Sequence, residues 1–216
     1  MKGHHVKVYE VQDKLGGQFR VATLPPAKSL LANPLRFWIQ EGKKHGVEYI
    51  TNTEVTKELI KKENPDAVIL ATGAKQSKPN IPGINGENVY MANDVIEGKV
   101  NVGRNVLIVG AGLVGLECAD FLRERAGRTS TIIDMISTVN YGVLGVGTHL
   151  KARLDSNNTK YILGASIKEF LNDGVVYTQN ETEKEVHGFD SIVLAMGSKS
   201  YNPLENELKD VCEEVY

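Results

Sequence analysis

The sequence predicts an α/β fold built on parallel strands, and three observations predict it. The apolar run Val106-Leu107-Ile108-Val109 reads as a buried strand that feeds directly into Gly110-x-Gly112-x-x-Gly115 and an amphipathic helix. A second apolar run, Thr131-Ile132-Ile133, ends in Asp134, 24 residues beyond Gly110. The stretches 66–74 and 191–197 share a pattern, an apolar strand closing in Ala71-Thr72-Gly73 in one case and Ala195-Met196-Gly197 in the other. Strand, glycine-rich turn, helix and acid-terminated strand is the order of a Rossmann-like nucleotide-binding domain, and the repeat implies two domains of related design.

The turn residues carry physical tasks. Gly110 permits the tight strand-to-helix turn, Gly112 lets the backbone approach a pyrophosphate, and Gly115 lets the helix lie close on the sheet. Ala111, Leu113 and Val114 complete the loop and the first helical turn, whose unpaired N–H groups suit a diphosphate. Cys118, Ala119 and Leu122 continue the face that Gly115 begins. Asp134 stands where an acid accepts the ribose hydroxyls, and the absence of Arg just after it favours NADH over NADPH.

Bulk properties bound the alternatives. The 216 residues allow one large domain or two small ones, and 41% hydrophobic with 24% charged residues is ordinary for a globular protein. A net charge of -2 gives no reason to expect nucleic acid or an anionic membrane as partner. The start of the chain lacks the apolar core of a signal peptide, and no apolar run could span a bilayer, so a cytoplasmic location is expected and the Asn180-Glu181-Thr182 sequon is idle. Cys118 and Cys212 stand far apart, outside any CxxC, and read as reduced core or edge residues. The five histidines show no metal spacing. No nucleophile-elbow sequence supports hydrolase chemistry.

The remaining elements follow in order. Residues 5–10 alternate and end in Glu10, like the second strand of a dinucleotide fold, with Glu10 equivalent to Asp134. A first strand with its glycine loop would need about 30 more residues ahead of it, so the chain reads as beginning in the middle of a fold. Gly16-Gly17-Gln18, by itself, is an ordinary turn. Asn33-Pro34 predicts a helix start with Asn as N-cap, and the helix runs to Gly46 with Trp38 in the core. Residues 47–50 form a short strand, Val55 lies near another, and residues 56–62 form a short helix with Leu59 and Ile60 inward. Residues 66–74 predict a buried strand ending in a turn of small residues. Residues 81–99 read as a crossing between domains. Residues 141–147 read as a loop rather than a second phosphate cradle, 149–154 as helix, and 161–163 and 166–170 as strands. Asn172-Asp173-Gly174 is a hairpin turn into 175–177, and residues 211–216 open a further strand.

Taken together, Tyr9-Glu10-x(4)-Leu15-Gly16-Gly17-Gln18, Pro25-Pro26-x-Lys28, Ala71-Thr72-Gly73, the Gly110 to Glu117 motif and Ala195-Met196-Gly197, in that order, form a recognisable set. From about residue 3 to the last it resembles the carboxyl-terminal flavin/nicotinamide region of NADH:flavin oxidoreductases, the enoate reductase, 2,4-dienoyl-CoA reductase and trimethylamine dehydrogenase group. In that group an Old Yellow Enzyme-like barrel carrying FMN and a four-iron (4Fe-4S) cluster precedes this region.

The resemblance implies a partial FAD-type domain over 1–80 and 199–216, and an NAD(P)H-binding domain over 100–198 with a β-hairpin or meander insertion. It implies that Glu10 holds the adenosine ribose of FAD, that Gly16, Gly17 and Gln18 lie along the flavin dinucleotide, and that Ala71, Thr72 and Gly73 close over it. Gly110, Gly112 and Gly115 would hold the NADH pyrophosphate, Asp134 its ribose, and Gly197 would return the chain near the nicotinamide. The group's first FAD glycine loop and closing Gly-Asp motif are absent, as are cluster cysteines, the CxxxxC of disulfide reductases and the CxxC of thioredoxin reductases. A fragment of a flavin-dependent NADH oxidoreductase is therefore expected, completed by a missing barrel domain or subunit. The alternatives are an electron-transfer subunit completed by another polypeptide and a non-catalytic dinucleotide-binding module. Loss of the first strand should also expose a sheet edge and apolar surface, with self-association or a loosened amino-terminal half as the result.

Overall fold

A computed structural model describes residues 3–139, 141 and 146–216. The chain divides into two compact units: residues 1–23, 28–75 and 199–216 form the first, residues 24–27 and 76–198 the second. In chain order the elements begin β1 (Lys7–Tyr9), α1 (Gly17–Ala22), α2 (Ala32–Lys44), β2 (Glu48–Ile50), α3 (Lys57–Glu63), β3 (Ala67–Val68) and β4 (Ala74–Gln76). They continue with β5 (Val89–Met91), α4 (Ala92–Ile96), β6 (Asn105–Val109), α5 (Leu113–Ala126), β7 (Thr129–Asp134), α6 (Val146–Ser156) and β8 (Lys160–Leu163). The last are β9 (Ala165–Phe170), β10 (Val175–Gln179), β11 (Thr182–Val186), β12 (Ser191–Leu194), β13 (Ser198–Ser200) and β14 (Glu214–Val215).

The second unit is built on a five-stranded parallel sheet in the order β5-β12-β6-β7-β8. Its central strands are apolar on both faces because both are covered, as parallel sheets require. Leu107, Val109, Ile133, Ile192 and Leu194 pack on one face against Phe170, Val175 and Tyr177 of the antiparallel meander β9-β10-β11. The alternating residues Val106, Ile108, Ile132 and Val193 are buried as well, on the side that α4 and α5 cover. Gly115, Cys118, Ala119 and Leu122 form the buried stripe of α5, as their spacing predicts. Residues 81–99 belong to this unit, where β5 is an edge strand of the sheet. The unit's entry and exit lie side by side, for Ser77 N–H donates to Gly197 O at 2.8 Å.

The first unit has two separate parallel ladders, β1-β2 and β3-β14. Its small core gathers Ile60, Leu204 and Leu208, with Val55, Val68 and Val215 packed against them. Several expectations change here. The helix expected from Asn33 instead begins at Ala32, continuing a 3-10 turn over Ser29–Leu31, with no side-chain cap. Pro34 is accommodated because N–H groups of a first turn have no intrahelical acceptor. Trp38 is not a core residue: it is 58% exposed and lies 5.9 Å from Phe19, centroid to centroid. Val55 lies outside any strand. The buried strand expected over 66–74 shrinks to β3, and Ile69 is 77% exposed because β3 has a ladder partner on one side only. The loop expected at 141–147 falls mostly outside the described residues.

Candidate dinucleotide site

The turn between β6 and α5 is fixed by steric contacts that leave no choice of residue. Gly110 has φ +115, and a Cβ there would lie 2.3 Å from the carbonyl oxygen of Ala195. A Cβ on Gly115 would lie 1.9 Å from the carbonyl oxygen of Gly110. These contacts press α5 onto the turn and the turn onto the end of β12. Gly112 differs: a Cβ there would meet nothing within 4 Å. Its extended backbone, φ -72 and ψ 173, caps α5 without a side chain, so open space lies directly over the first-turn N–H groups of a 14-residue helix. Leu113 and Val114, in that first turn, are exposed.

Asp134 closes the other side of the turn. Its Oδ2 accepts from Ala111 N–H at 2.5 Å and its Oδ1 from Ile136 N–H at 3.1 Å. Gly110 N–H donates to Ile133 O, so the loop is stitched to β7 by backbone and side chain together. The donor set therefore fits a dinucleotide: N–H groups and a helix terminus for the diphosphate, bare backbone at Gly112 to let it approach, and a half-buried carboxylate for the ribose. Gly197 follows β12 with φ +79 and sits at the carboxyl end of the same sheet. Ala195, whose carbonyl lies against Gly110, entered the sequence reading as part of a strand ending, with no site role of its own. Only the repeated strand pattern pointed toward it.

In the first unit Gly16 has φ +109 and Gly17 φ +44, and they open α1. A Cβ on Gly16 would clash with Leu35 at 2.6 Å. Gln18 Nε2 donates to Ala74 O at 2.8 Å, which draws Gly16 to Gln18 toward the turn Ala71 to Gly73. The Thr72 hydroxyl meets the carbonyl of Tyr201 and Oδ1 of Asn202, and Lys75 Nζ lies 3.5 Å above the Tyr201 ring. Neither Lys75 nor Tyr201 had a sequence signal, since residues so far apart in the chain are joined only by folding. Glu10 accepts from Gln12 N–H through Oε1.

Thiol and metal chemistry find no support in these positions. Cys118 and Cys212 are both buried and lie in different units, and burial pushes the Cys118 thiol up to about 12, so it stays protonated. Among the described residues no group of His, Cys, Asp and Glu could hold a metal ion, and no helix is long and apolar enough to cross a membrane.

Comparison with known proteins gives the family and the fold. The family described as pyridine nucleotide-disulphide oxidoreductase matches residues 43–213. An NADH oxidase of Thermoanaerobacter brockii is 33% identical over 224 residues, covering 99% of this chain and 33% of its own length. A cinnamate reductase of Clostridium sporogenes is 31% identical over 213 residues, covering 97% and 31%. The solved structure of 2-naphthoyl-CoA reductase in complex with 2-naphthoyl-CoA aligns with a TM-score of 0.91 at 28% identity, over 99% of this chain and 33% of that one. The chain thus spans about a third of the length of these proteins.

Proposed function

Since the chain belongs to the pyridine nucleotide-disulphide oxidoreductase family, we propose that it is the dinucleotide-handling part of a flavin-dependent NADH oxidoreductase of the enoate reductase, 2,4-dienoyl-CoA reductase and trimethylamine dehydrogenase group. The observation that carries this reading is the open space over Gly112 at the start of α5, flanked by Asp134. In the complete protein, NADH held at Gly110 to Gly115 and Asp134 would supply a hydride, and FAD held by the first unit would accept it for reduction of an unsaturated substrate elsewhere.

The roles of this chain's own residues are to bind, orient and approach. Gly110, Ala111, Gly112, Leu113, Val114 and Gly115 present backbone N–H groups to the NADH diphosphate. Asp134 accepts from the ribose hydroxyls, and Gly197 borders the nicotinamide end. In the first unit Glu10 accepts from the FAD ribose, and Gly16 to Gln18 with Ala71 to Gly73 line the flavin dinucleotide. No side chain is assigned to proton transfer, because hydride transfer between two cofactors needs none. Dithiol relay is not part of the proposal, the chain's two cysteines being buried in separate units.

A second reading is favoured by one observation, the separation of β1-β2 from β3-β14 into two ladders. Under it the chain alone is a non-catalytic NADH-binding module, and turnover belongs to a larger protein or to an assembly in which this chain is the electron-transfer subunit. Titrating the purified chain with FAD by absorbance, then with NADH and NADPH by calorimetry, separates the readings. Retained flavin that NADH bleaches anaerobically supports the oxidoreductase. Saturable NADH binding without flavin supports the module, and no binding of NADH overturns both.

A further inference from the structure

The turn that follows Asp134 is held from both sides. Asp134 Oδ1 accepts from Ile136 N–H, its Oδ2 accepts from Ala111 N–H, and Ile136 O accepts from Gly164 N–H at 2.8 Å. A carboxylate that bonds the backbone N–H two residues on closes an Asx turn, and this one is tied both to the glycine loop and to the junction of β8 and β9. Met135 is the tip of the turn. Its side chain is 71% exposed, although methionine is among the residues most often buried. Met91 and Met196 follow that rule, packing against the apolar core of the second unit, and Met1 lies outside the described residues.

The place of Met135 in the site gives its sulfur a neighbour, and this step rests on the reading of the glycine turn as an NADH site. A diphosphate over Gly112 and a ribose at Asp134 leave the adenine, which hangs from that same ribose, over the residues that come next, Met135 and Ile136. Both are exposed and apolar, and the pinned turn holds them in place. A polarisable thioether on an unbranched side chain suits the face of an aromatic base. Oxidation undoes the match, because a sulfoxide is polar and chiral where the thioether was apolar. The chain's two thiols compete poorly for an oxidant, since both are buried.

We propose that Met135 is an oxidation site that governs the nucleotide site: hydrogen peroxide converts it to the sulfoxide, NADH binding weakens, and reduction of the sulfoxide restores it. A lone pair on Sδ attacks one peroxide oxygen, and the S–O bond forms as the O–O bond breaks. Hydroxide leaves and takes the proton from the transferred oxygen, so the products are sulfoxide and water. Sulfur is oxidised by two electrons and the peroxide is reduced by two. The bonds of Asp134 to Ala111 and Ile136 involve no atom of the Met135 side chain, so the change falls on the bound base and leaves the fold as it was. The chain thus draws less NADH while peroxide is present.

The test treats the full chain with hydrogen peroxide at neutral pH, maps oxygen uptake by peptide mass spectrometry, and measures NADH affinity by calorimetry before and after. Met135 should gain one oxygen about tenfold faster than Met91 or Met196, and the Kd for NADH should then rise by about fivefold or more, with thermal unfolding of the free chain unchanged. Saturating ADP-ribose, which carries the adenine and has no hydride to give, should slow oxidation of Met135 by about fivefold or more. Nicotinamide mononucleotide, which lacks the adenine, should not. Methionine sulfoxide reductases A and B should return the Kd to its starting value. Met135→Leu removes the sulfur and keeps the volume, so its Kd, whatever its value, should no longer respond to peroxide. Equal oxidation of the three methionines, or an unchanged Kd once Met135 is fully oxidised, overturns the proposal. A peroxide response that persists in Met135→Leu, or protection by nicotinamide mononucleotide in place of ADP-ribose, overturns it as well. Failure of the untreated chain to bind NADH removes the NADH reading and this inference with it, whereas NADH binding indifferent to the sulfoxide removes this inference alone.

Discussion

The carboxylate of Asp134 holds the backbone of Ala111, its Oδ2 accepting the N–H at 2.5 Å. The acid that ends β7 therefore holds the shape of the glycine turn, and a contact with a ribose would fall to its other oxygen. Among the described residues Oδ1 accepts from Ile136 N–H at 3.1 Å, a longer bond that leaves acceptor capacity for a ribose hydroxyl.

Asp134→Ala should weaken NADH binding by about 1–3 kcal/mol, or about 5- to 150-fold in Kd, through loss of charge-assisted bonds to the ribose and loss of the anchor on Ala111. Asp134→Asn keeps an acceptor for Ala111 and should fall between the two. Calorimetric titration of the three proteins checks the order, and an unchanged Kd in Asp134→Ala would remove Asp134 from the site.

Gly112→Ala and Gly115→Ala should part company. The added methyl at 112 enters open space, so thermal unfolding stays as it is while NADH affinity drops by about tenfold or more as the diphosphate is held off. At 115 the methyl meets the carbonyl oxygen of Gly110, and stability should fall by about 1–3 kcal/mol or further. Equal loss of stability in both variants, measured by denaturant titration, would refute the distinction.

Asp120 is 2% exposed and is held by Arg153 through Nε and Nη2. Burial pushes its carboxyl above the usual range, with Arg153 pulling the other way. Arg153→Ala strands a buried charge and should cost roughly 3 kcal/mol, the low end for such pairs because Arg153 is partly exposed. A carboxyl whose folded pKa is raised binds its proton more readily when folded. The variant's deficit should therefore shrink as pH falls toward that value and grow as pH rises through it. Urea titrations at several pH values check the slope.

His187 bridges Asp173 through Nδ1 and Glu185 through Nε2, both at 2.9 Å, and the two carboxylates raise its pKa. The sign is the same as for Asp120, since both groups bind a proton more tightly in the folded state. The bridge contributes fully below the unfolded value of about 6.5 and is lost as pH rises through the higher folded value. Hydrogen exchange in β10 and β11 should accordingly quicken above that point more than intrinsic exchange does. His187→Gln should abolish this excess.

Trp38 is the sole tryptophan and stands exposed with Leu30, Leu31 and Phe37. Acrylamide should quench its fluorescence readily in dilute solution. The chain should also self-associate as concentration rises, with quenching reduced in step. A monodisperse monomer by light scattering at all concentrations would count against this.

The second unit was legible in the sequence because its constraints are local and severe. A strand covered on both faces must be apolar throughout, as Val106 to Val109 are, and a turn pressed against Ala195 must be glycine. β11 was not legible: Thr182 to Glu185 are exposed and polar at the edge of the meander, and Val186 alone packs inward, too little to set a period. Ile69 and Trp38 misled for a shared reason. Composition reports what a residue would prefer, while burial depends on which neighbours arrive, and β3 and α2 have few. The bond from Ala111 to Asp134 was invisible because one carboxylate can serve a loop, a ligand or both without any change of spacing.

Ser77 and Gly197, one hydrogen bond apart, make residues 76–198 a cassette with both joints at the same place. A segment whose ends already meet can be lifted out, or exchanged for one from another member of the family, without stretching its host. Inheritance of the two units can then be unequal: residues 76–198 can travel between proteins as a single piece, whereas the first unit, interrupted by them, is inherited whole.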